Sequence, residues 1–343
     1  MGWFGRFLHN DKGGNIPDIK ELPLGSTGYS PLIRPNIWAI GGCKGGVGKS
    51  LMTSSLGILL SGLGKRVLLV DVDLGAANLH SFVGVEGNSL SLSDLLKGRC
   101  LNIKHVIGRT SIPGLELISG AKDSLDVVDL NGNKVTRLQD ALKNMEYNYI
   151  LLDIGPGTSS NMLDLFLMAD EGILMTTPEP TAIENTYRFL KCLFLRRMKK
   201  IMDPHGDSKL KVLLQKVFSE KEAQRTRTIA DIFVRLRQLD WKQEQVLKAI
   251  MGDISVSIVI NQAKRSEDRD IGSVMKRACY DYFGLEIGYL GHICYEDCVV
   301  DSIRSRRPLV LHYNHSESAK AIEVCLHRLM EKRRKRYGLS LRA

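Results

Sequence analysis

The sequence predicts an α/β fold: a mostly parallel, doubly wound sheet flanked by helices, with a helical insertion. Two apolar runs, Val67–Asp71 and Tyr149–Asp153, each end in an aspartate. Such runs are typical of the central strands of a parallel sheet, which are buried on both faces. Strand and helix patterns alternate along much of the chain, which indicates right-handed crossovers between parallel strands. A length of 343 residues allows one large domain or a domain that carries an insertion.

The remaining elements follow from the same patterns. Further strands are predicted at 36–40, 115–118, 172–177, 256–261 and 286–290, and helices at 51–63, 134–144 and 181–200. Apolar residues at helical spacing over 229–239 and 241–250 predict a pair of amphipathic helices in an insertion at about 203–252. This insertion either packs on the flank of the domain or docks a protein partner. We therefore expect an N-terminal arm at 1–34, a domain at 35–325 and a basic C-terminal tail at 326–343.

Composition excludes several classes of protein. The chain is 43% hydrophobic and 25% charged, which is ordinary for a globular protein, and no apolar run approaches the length of a membrane-spanning helix. Seven scattered cysteines argue against a disulfide framework and for a reducing compartment, so a cytoplasmic location is expected.

An excess of positive charge points to an acidic partner. The formal net charge is +10, which suits a membrane surface, nucleic acid or a nucleotide. Part of the excess lies near the C-terminus, at Arg328, Lys332, Arg333, Arg334, Lys335, Arg336 and Arg342. This cluster is either a solvated helix end, where cations suit the helix dipole, or a contact for an anionic surface.

A glycine-rich loop between a predicted strand and a predicted helix is the strongest functional signal. Bound polyphosphate needs many backbone N–H donors converging on it, and glycines permit that tight path. In the run from Gly41 to Ser50, Lys49 is placed to neutralise β- and γ-phosphates, and Ser50 to offer a hydroxyl to Mg²⁺. Cys43 stands where the general P-loop pattern has glycine. The predicted nucleotide-binding residues here are Gly45, Gly46, Val47, Gly48, Lys49, Ser50 and Leu51.

A second lysine in this loop carries a family resemblance. The run from Lys44 to Ser50 resembles the signature of the MinD/ParA/FlhG family of deviant Walker-A ATPases. In that family the first lysine reaches the phosphates bound by the partner subunit, so that ATP closes a face-to-face homodimer. The resemblance implies this role for Lys44, where it would stabilise charge in phosphoryl transfer as an arginine finger does.

Two further segments resemble the switches of that family. In residues 71–79, Asp73 matches the residue that orients the attacking water, and Asn78 falls in the part that faces the dimer partner. In residues 153–157, Asp153 matches the residue that holds Mg²⁺, usually through water. The resemblance therefore implies Lys44, Lys49, Asp73 and Asp153 as catalytic residues, with Ser50, Asp73 and Asp153 at the metal. Asp71 begins the segment that resembles the first switch, but it could simply end a strand or cap a turn.

The resemblance extends from about residue 38 to residue 308. Asn261, at a strand end, matches the residue that contacts the adenine edge, whereas Cys294 departs from a usual proline. Residues 176–183 and the Asp-Leu-Gly-x-x-Asn switch are most similar to FlhG (also called FleN or YlxH), which sets flagellar number and placement. The Asp-Gln-Ala motif with which many FlhG proteins stimulate a GTPase partner is absent from this sequence.

Three other functions compete with this interpretation. An iron–sulfur carrier ATPase would use Cys294 and Cys298, although their spacing is not C-x-x-C. A scaffold without hydrolysis is disfavoured because the four catalytic candidates are present. A ParA-like DNA-partitioning ATPase would use a basic helix that carries Arg188, Lys191, Arg196, Arg197, Lys199 and Lys200.

Attachment to an anionic membrane is a further hypothesis, with a candidate anchor at each end. Leu326, Leu329 and Met330 precede the C-terminal basic cluster. At the N-terminal end, Trp3, Phe4, Phe7 and Leu8 form an aromatic and apolar alternative. Either segment could instead pack on the domain.

Overall fold

An eight-stranded sheet organises the residues that the structure describes. This computed structural model describes residues 34–74, 77–83, 90–120, 132–202, 208–218 and 228–337. The strands are β1 (Asn36–Gly41), β2 (Val67–Asp71), β3 (Ile107–Arg109), β4 (Leu115–Ile118), β5 (Tyr149–Asp153), β6 (Glu171–Thr176), β7 (Val256–Ala263) and β8 (Gly288–Cys294). Their order is β3-β4-β2-β5-β1-β6-β7-β8, and β3 alone among them pairs antiparallel. The predicted fold class is confirmed.

Helices cover both faces of the sheet, as a doubly wound fold requires. Within the described residues they are α1 (Lys49–Gly62), α2 (Leu79–Phe82), α3 (Leu92–Leu96), α4 (Gly132–Lys143), α5 (Ser160–Leu167), α6 (Pro180–Ile201), α7 (Ser208–Val217), α8 (Ile229–Leu239), α9 (Trp241–Gly252), α10 (Ile271–Phe283), α11 (Asp297–Arg304), α12 (Leu309–His312) and α13 (Glu317–Tyr337). None of these helices is both long and apolar enough to cross a bilayer.

The register of the central strands gathers their carboxyl ends at one edge. Ile40 of β1 pairs with Asp153 of β5, and Asp153 pairs in turn with Asp71 of β2. All three strands are parallel and buried on both faces. Loops that leave these ends therefore meet at the crevice where α/β folds place their ligands.

The core around β1 depends on close aromatic packing. The rings of Trp38 and Tyr149 meet edge to face, with centroids 5.0 Å apart. On the other side of the sheet, Phe166 lies so close to Gly172 that a Cβ there would fall 2.3 Å from the ring. This contact fixes where α5 packs and so helps to hold β1 beside β6.

The insertion between β6 and β7 packs on the domain. Helices α8 and α9 form the amphipathic pair expected from the sequence, and α7, which the sequence reading missed, packs against them. Phe233 of α8 packs beside Gly284, the C-cap of α10: a Cβ on this glycine would lie 3.4 Å from Phe233 Cδ2. Residues 203–207 and 219–227 of this insertion lie outside the described residues.

The C-terminal basic segment continues the domain as helix α13. Leu326 and Leu329 are buried, and the helix packs against α1 and β8. Residue 326, where the basic tail was expected to begin, lies inside this helix, and four cations of the helix bind other parts of the domain. Lys332 contacts Glu171, Arg333 contacts Tyr149, Arg328 contacts the Leu290 carbonyl and Arg336 contacts the Asp253 carbonyl. The expected arm at 1–34, except for Arg34, and residues 338–343 lie outside the described residues.

Candidate functional site

The glycine loop joins β1 to α1, as the sequence predicts, and depends on left-handed backbone at two glycines. Gly46 has φ 77° and Gly48, the N-cap of α1, has φ 96°. A Cβ on Gly48 would lie 2.2 Å from Asn261 Nδ2, so only glycine fits there. Around Gly45 and Gly46 a Cβ would meet nothing within 4 Å. The loop is therefore closed by Asn261 on one side and open to a ligand on the other.

Lys49 lies in the first turn of α1 with its ammonium directed into the loop. The residue is buried, and its Nζ lies 3.5 Å from the Lys44 carbonyl oxygen, the limit for a hydrogen bond. None of the described carboxylates forms an ion pair with it. A buried ammonium normally has an anionic partner, so this loop fits a phosphate chain.

Hydroxyls and carboxylates gather beside the loop at the ends of β2 and β5. Asp153 is buried, and Thr53 Oγ1 of α1 lies 3.5 Å from its Oδ1. Burial raises the pKa of Asp153 to about 6, while hydrogen bonding from Ser50 and the charge of Lys49 act to lower it. Hard oxygen donors of this kind are the ligands that Mg²⁺ prefers. The sequence analysis did not predict Thr53 as a site residue. Its position three residues after Ser50, on the same face of the helix, could have indicated it.

Asp71 holds the first switch segment in place. Its carboxylate accepts hydrogen bonds from the backbone N–H of Asp73 and of Leu79, each at 3.1 Å. Burial, with the nearby charge of Asp153, raises the pKa of Asp71 to about 8. In the structure, Asp71 ends β2 and caps the turn that follows it. Asp73 itself packs on the second switch, because a Cβ on Gly155 would lie 3.2 Å from its Cγ.

A cavity of about 320 Å³ extends from the loop to the end of β8. The sequence-predicted residues on its wall are Gly46, Gly48, Lys49, Ser50, Leu51, Asn78 and Asn261. The structure adds residues that the sequence reading missed, namely Phe82, Gln262, Tyr295, Glu296, Val299, Val300 and Ile303. Lys264 Nζ lies 4.6 Å from the centroid of the Tyr295 ring. The cavity wall thus combines the Lys49 ammonium of the glycine loop with apolar and aromatic side chains, as a nucleotide requires.

Lys44 does not line this cavity. Its Nζ forms a 2.6 Å ion pair with Glu179 Oε2 at the N-cap of α6. Both side chains are about half exposed, 48% for the lysine and 58% for the glutamate. The structure therefore brings Lys49, Ser50, Asp73 and Asp153 together within one chain and leaves Lys44 outside.

Comparisons with known proteins agree with this geometry. A family model described as an AAA domain matches residues 36–204. The septum site-determining protein MinD of Bacillus subtilis is 31% identical over 151 residues, which cover 44% of this chain and 56% of that protein. The antiactivator FleN of Pseudomonas aeruginosa is 28% identical over 186 residues, 54% of this chain and 62% of that one. In sequence, the chain is thus similar to members of the MinD/ParA superfamily over about half of its length.

A solved structure of this superfamily shows the same fold. MinD of Pyrococcus horikoshii, complexed with Mg-ADP, aligns with a TM-score of 0.58 and 22% identity, covering 86% of this chain and 96% of that one. The chain spans about half the length of the curated MinD/ParA relatives that it matches in sequence. The family match ends near the start of the insertion, so α7–α9 lie beyond it.

Two alternative functions depend on cysteines and on a basic helix. All seven cysteines are free, and the described residues hold no group of three His, Cys, Asp or Glu side chains arranged for a metal. On α6, Arg196 and Lys200 both pair with Asp164, at 2.6 and 2.9 Å. These two cations of the predicted DNA-binding helix are therefore engaged within the domain.

Proposed function

We propose that this chain is an ATPase that dimerises on ATP and acts as a switch controlling the placement or number of a cellular structure. The observation that carries the proposal is the buried Lys49 ammonium, which lies in a glycine loop near Asp153 and forms no ion pair with a carboxylate of the described residues. That arrangement is satisfied by a polyphosphate with its magnesium ion.

Each residue of the site has a distinct part in binding and hydrolysis. Lys49 donates to the phosphates, and the loop N–H groups line their path. Ser50 and Asp153 would hold Mg²⁺, which when bound would supply charge neutralisation at the transferring phosphoryl group. Asp73 lies against the second switch, where its carboxylate orients a water for attack. Asn261 lies on the cavity wall beside the glycine loop, and the family resemblance assigns it the contact with the adenine edge.

Dimerisation is proposed because one subunit leaves Lys44 outside its own site. An exposed ion pair such as Lys44–Glu179 is worth only about 0.2–1 kcal/mol, so the lysine is easily released. In a face-to-face homodimer it would reach the partner subunit's phosphates and stabilise charge during transfer. ATP would then bridge two copies of the chain.

Flagellar placement is the cellular role that we propose. Its supports are the FlhG-like switch at 71–79, the FlhG-like segment at 176–183 and the similarity to FleN. The protein would act in the cytoplasm, at the inner face of the membrane or on a protein bound through the insertion. DNA partitioning is the alternative function, and the engagement of Arg196 and Lys200 by Asp164 counts against it.

Nucleotide binding tests the proposal directly. By isothermal titration calorimetry with ATP and Mg²⁺, the wild type should bind and Lys49→Ala should not. Asp73→Ala should bind normally but hydrolyse roughly two orders of magnitude more slowly, a loss of about 3 kcal/mol in transition-state stabilisation. Normal turnover in Asp73→Ala would reassign the water-orienting residue, and no binding by the wild type would end the proposal.

Dimerisation and cellular role need separate measurements. In the Asp73→Ala background with ATP, gel filtration should show a dimer, and adding Lys44→Ala should return it to a monomer that still binds ATP. Flagella counted by electron microscopy in a deletion strain should change in number or position, and Lys44→Ala should fail to restore them. Unchanged flagella, together with ATP-dependent retention on duplex DNA, would favour partitioning.

A further inference from the structure

Gln262, at the carboxyl end of β7, has a backbone conformation that side chains rarely adopt. Its φ is 60°, and Arg306, with φ 53°, is the other non-glycine residue with positive φ in the described part of the chain. The left-handed region crowds Cβ against the backbone and favours glycine or asparagine. Such an outlier persists where neighbouring contacts hold it, and it often marks a functional position.

An irregularity in the strand pairing explains how this conformation arises. Ile260 of β7 pairs with His292 of β8, but Ala263 pairs with Cys294, so β7 carries one extra residue in this interval. Successive side chains in a regular strand point to opposite faces. Here the bulge and the left-handed turn let Asn261 and Gln262 both reach the glycine loop.

The two side chains bind consecutive carbonyls of that loop. Asn261 Nδ2 donates to the Val47 carbonyl oxygen at 2.9 Å, and Gln262 Nε2 donates to the Gly46 carbonyl oxygen at 3.0 Å. The loop has little packing of its own at this point, since a Cβ on Gly46 would meet nothing within 4 Å. The amide groups therefore fix the orientation of peptide units that would otherwise be free to turn.

Peptide geometry links this contact to phosphate binding. In a trans peptide the C=O of one residue and the N–H of the next point in opposite directions. Holding the Gly46 carbonyl against Gln262 therefore aims the Val47 N–H the other way, and Asn261 does the same for the Gly48 N–H. A phosphate-binding loop needs its N–H groups turned inward and its carbonyls satisfied outside.

We propose that Gln262 is a positioning residue that pre-organises the phosphate loop, with its strained backbone placing the side-chain amide on the Gly46 carbonyl. This inference rests on the proposed nucleotide-binding function of the same loop. Gln262 then increases the affinity of the loop for phosphates, while its strained backbone lowers the stability of the unliganded chain.

Two substitutions at position 262 and one matched control separate these effects. Gln262→Gly removes the amide and relieves the backbone, whereas Gln262→Met keeps the side-chain length, removes the donor and adds no charge beside the phosphates. Arg306→Gly relieves the other left-handed residue, which lies outside the cavity wall. Thermal unfolding without nucleotide and calorimetric titration with ADP and ATP in Mg²⁺ would be measured for each, using the full chain.

The proposal expects stability and affinity to move in opposite directions in Gln262→Gly. Both glycine variants should unfold at the wild-type temperature or above it. Gln262→Gly should bind ADP and ATP about 3- to 10-fold more weakly, the range for one hydrogen bond, and Gln262→Met should be weakened by a similar factor. Arg306→Gly should bind as the wild type does.

Three results would overturn the inference. Wild-type affinity in both Gln262 variants would show that the amide does not position the loop. Equal weakening in Gln262→Gly and Arg306→Gly would assign the loss to a general effect of glycine. If the wild type itself binds no nucleotide, the proposed function fails first and this inference falls with it. Should Gln262→Gly not fold, the comparison of Gln262→Met with the wild type decides alone.

Discussion

The ion pair between Lys332 and Glu171 offers a test of what the basic C-terminal helix does. Glu171, at the start of β6, is buried, and its Oε1 accepts from Lys332 Nζ at 2.7 Å and from Ser257 Oγ at 2.7 Å. Its Oε2 accepts from Ser255 Oγ at 2.5 Å. The lysine stem crosses from α13 to the sheet, so this contact ties the helix to the amino end of β6.

Lys332→Met should destabilise the protein because it leaves a buried carboxylate without its cation. Breaking a buried pair by removing one partner costs about 3–5 kcal/mol. Two serine hydroxyls remain on the carboxylate, and the lysine side chain is 36% exposed, so water reaches the gap. We therefore expect a loss of about 2–3 kcal/mol in the free energy of unfolding. Adding Glu171→Gln should recover more than half of it, since a neutral amide is satisfied by the hydroxyls.

Urea denaturation followed by circular dichroism would measure these changes as shifts in midpoint at constant slope. Lys335→Met is the matched control, because Lys335 lies on the same helix, is exposed and has no partner among the described residues. It should change the free energy by less than about 0.5 kcal/mol. Equal midpoints for Lys332→Met and Lys335→Met would show that the pair does not hold the helix. A double variant no more stable than Lys332→Met would point to lost packing instead of a stranded charge.

Two further predictions concern the glycine loop and its mouth. Gly48→Ala should abolish ATP binding in calorimetry, because its Cβ would lie 2.2 Å from Asn261 Nδ2 on a backbone with φ 96°; measurable binding would contradict the loop geometry. Glu179→Gln should strengthen ATP-dependent dimerisation by up to about 5-fold per subunit, because it frees Lys44 from an exposed ion pair. Sedimentation velocity in the Asp73→Ala background measures this, and a weaker dimer would place Glu179 in the interface itself.

The sequence predicted strand bounds best where a strand is buried on both faces of the sheet. Strands β2 and β5 have the bounds predicted for them, since a strand covered on both faces is a continuous apolar run with clear ends. Strand β3 was missed because a three-residue edge strand has almost no pattern. The strand predicted at 286–290 is observed as Gly288–Cys294, because Gly291 and His292 interrupt the apolar run that would have marked it.

The candidate site divides in the same way. Lys49 and Ser50 were predicted from the glycine loop and Asp153 from the family resemblance, and the register of β1, β2 and β5 brings the ends of these strands to one edge of the sheet. Thr53 and Gln262 were not predicted, because their parts depend on a helix face and on a bulge that only the folded chain defines. The partner of Lys44 was equally hidden, since Glu179 is distant in sequence and reaches it only through the packing of α6.

The net charge of +10 shows why a charge count alone misleads about partners. From the sequence, the C-terminal cations were interpreted as a solvated helix end or a contact for an anionic surface. In the structure, Arg333 binds Tyr149 of β5 and Arg336 binds the Asp253 carbonyl after α9. An anchor made from those side chains would have to pull α13 off the sheet and expose Leu326 and Leu329. Cations that hold a helix on its own domain add to the net charge, but they are not available to bind an anionic partner. Within the described residues, the charge most relevant to an anionic ligand is therefore local, in the buried Lys49 of the glycine loop.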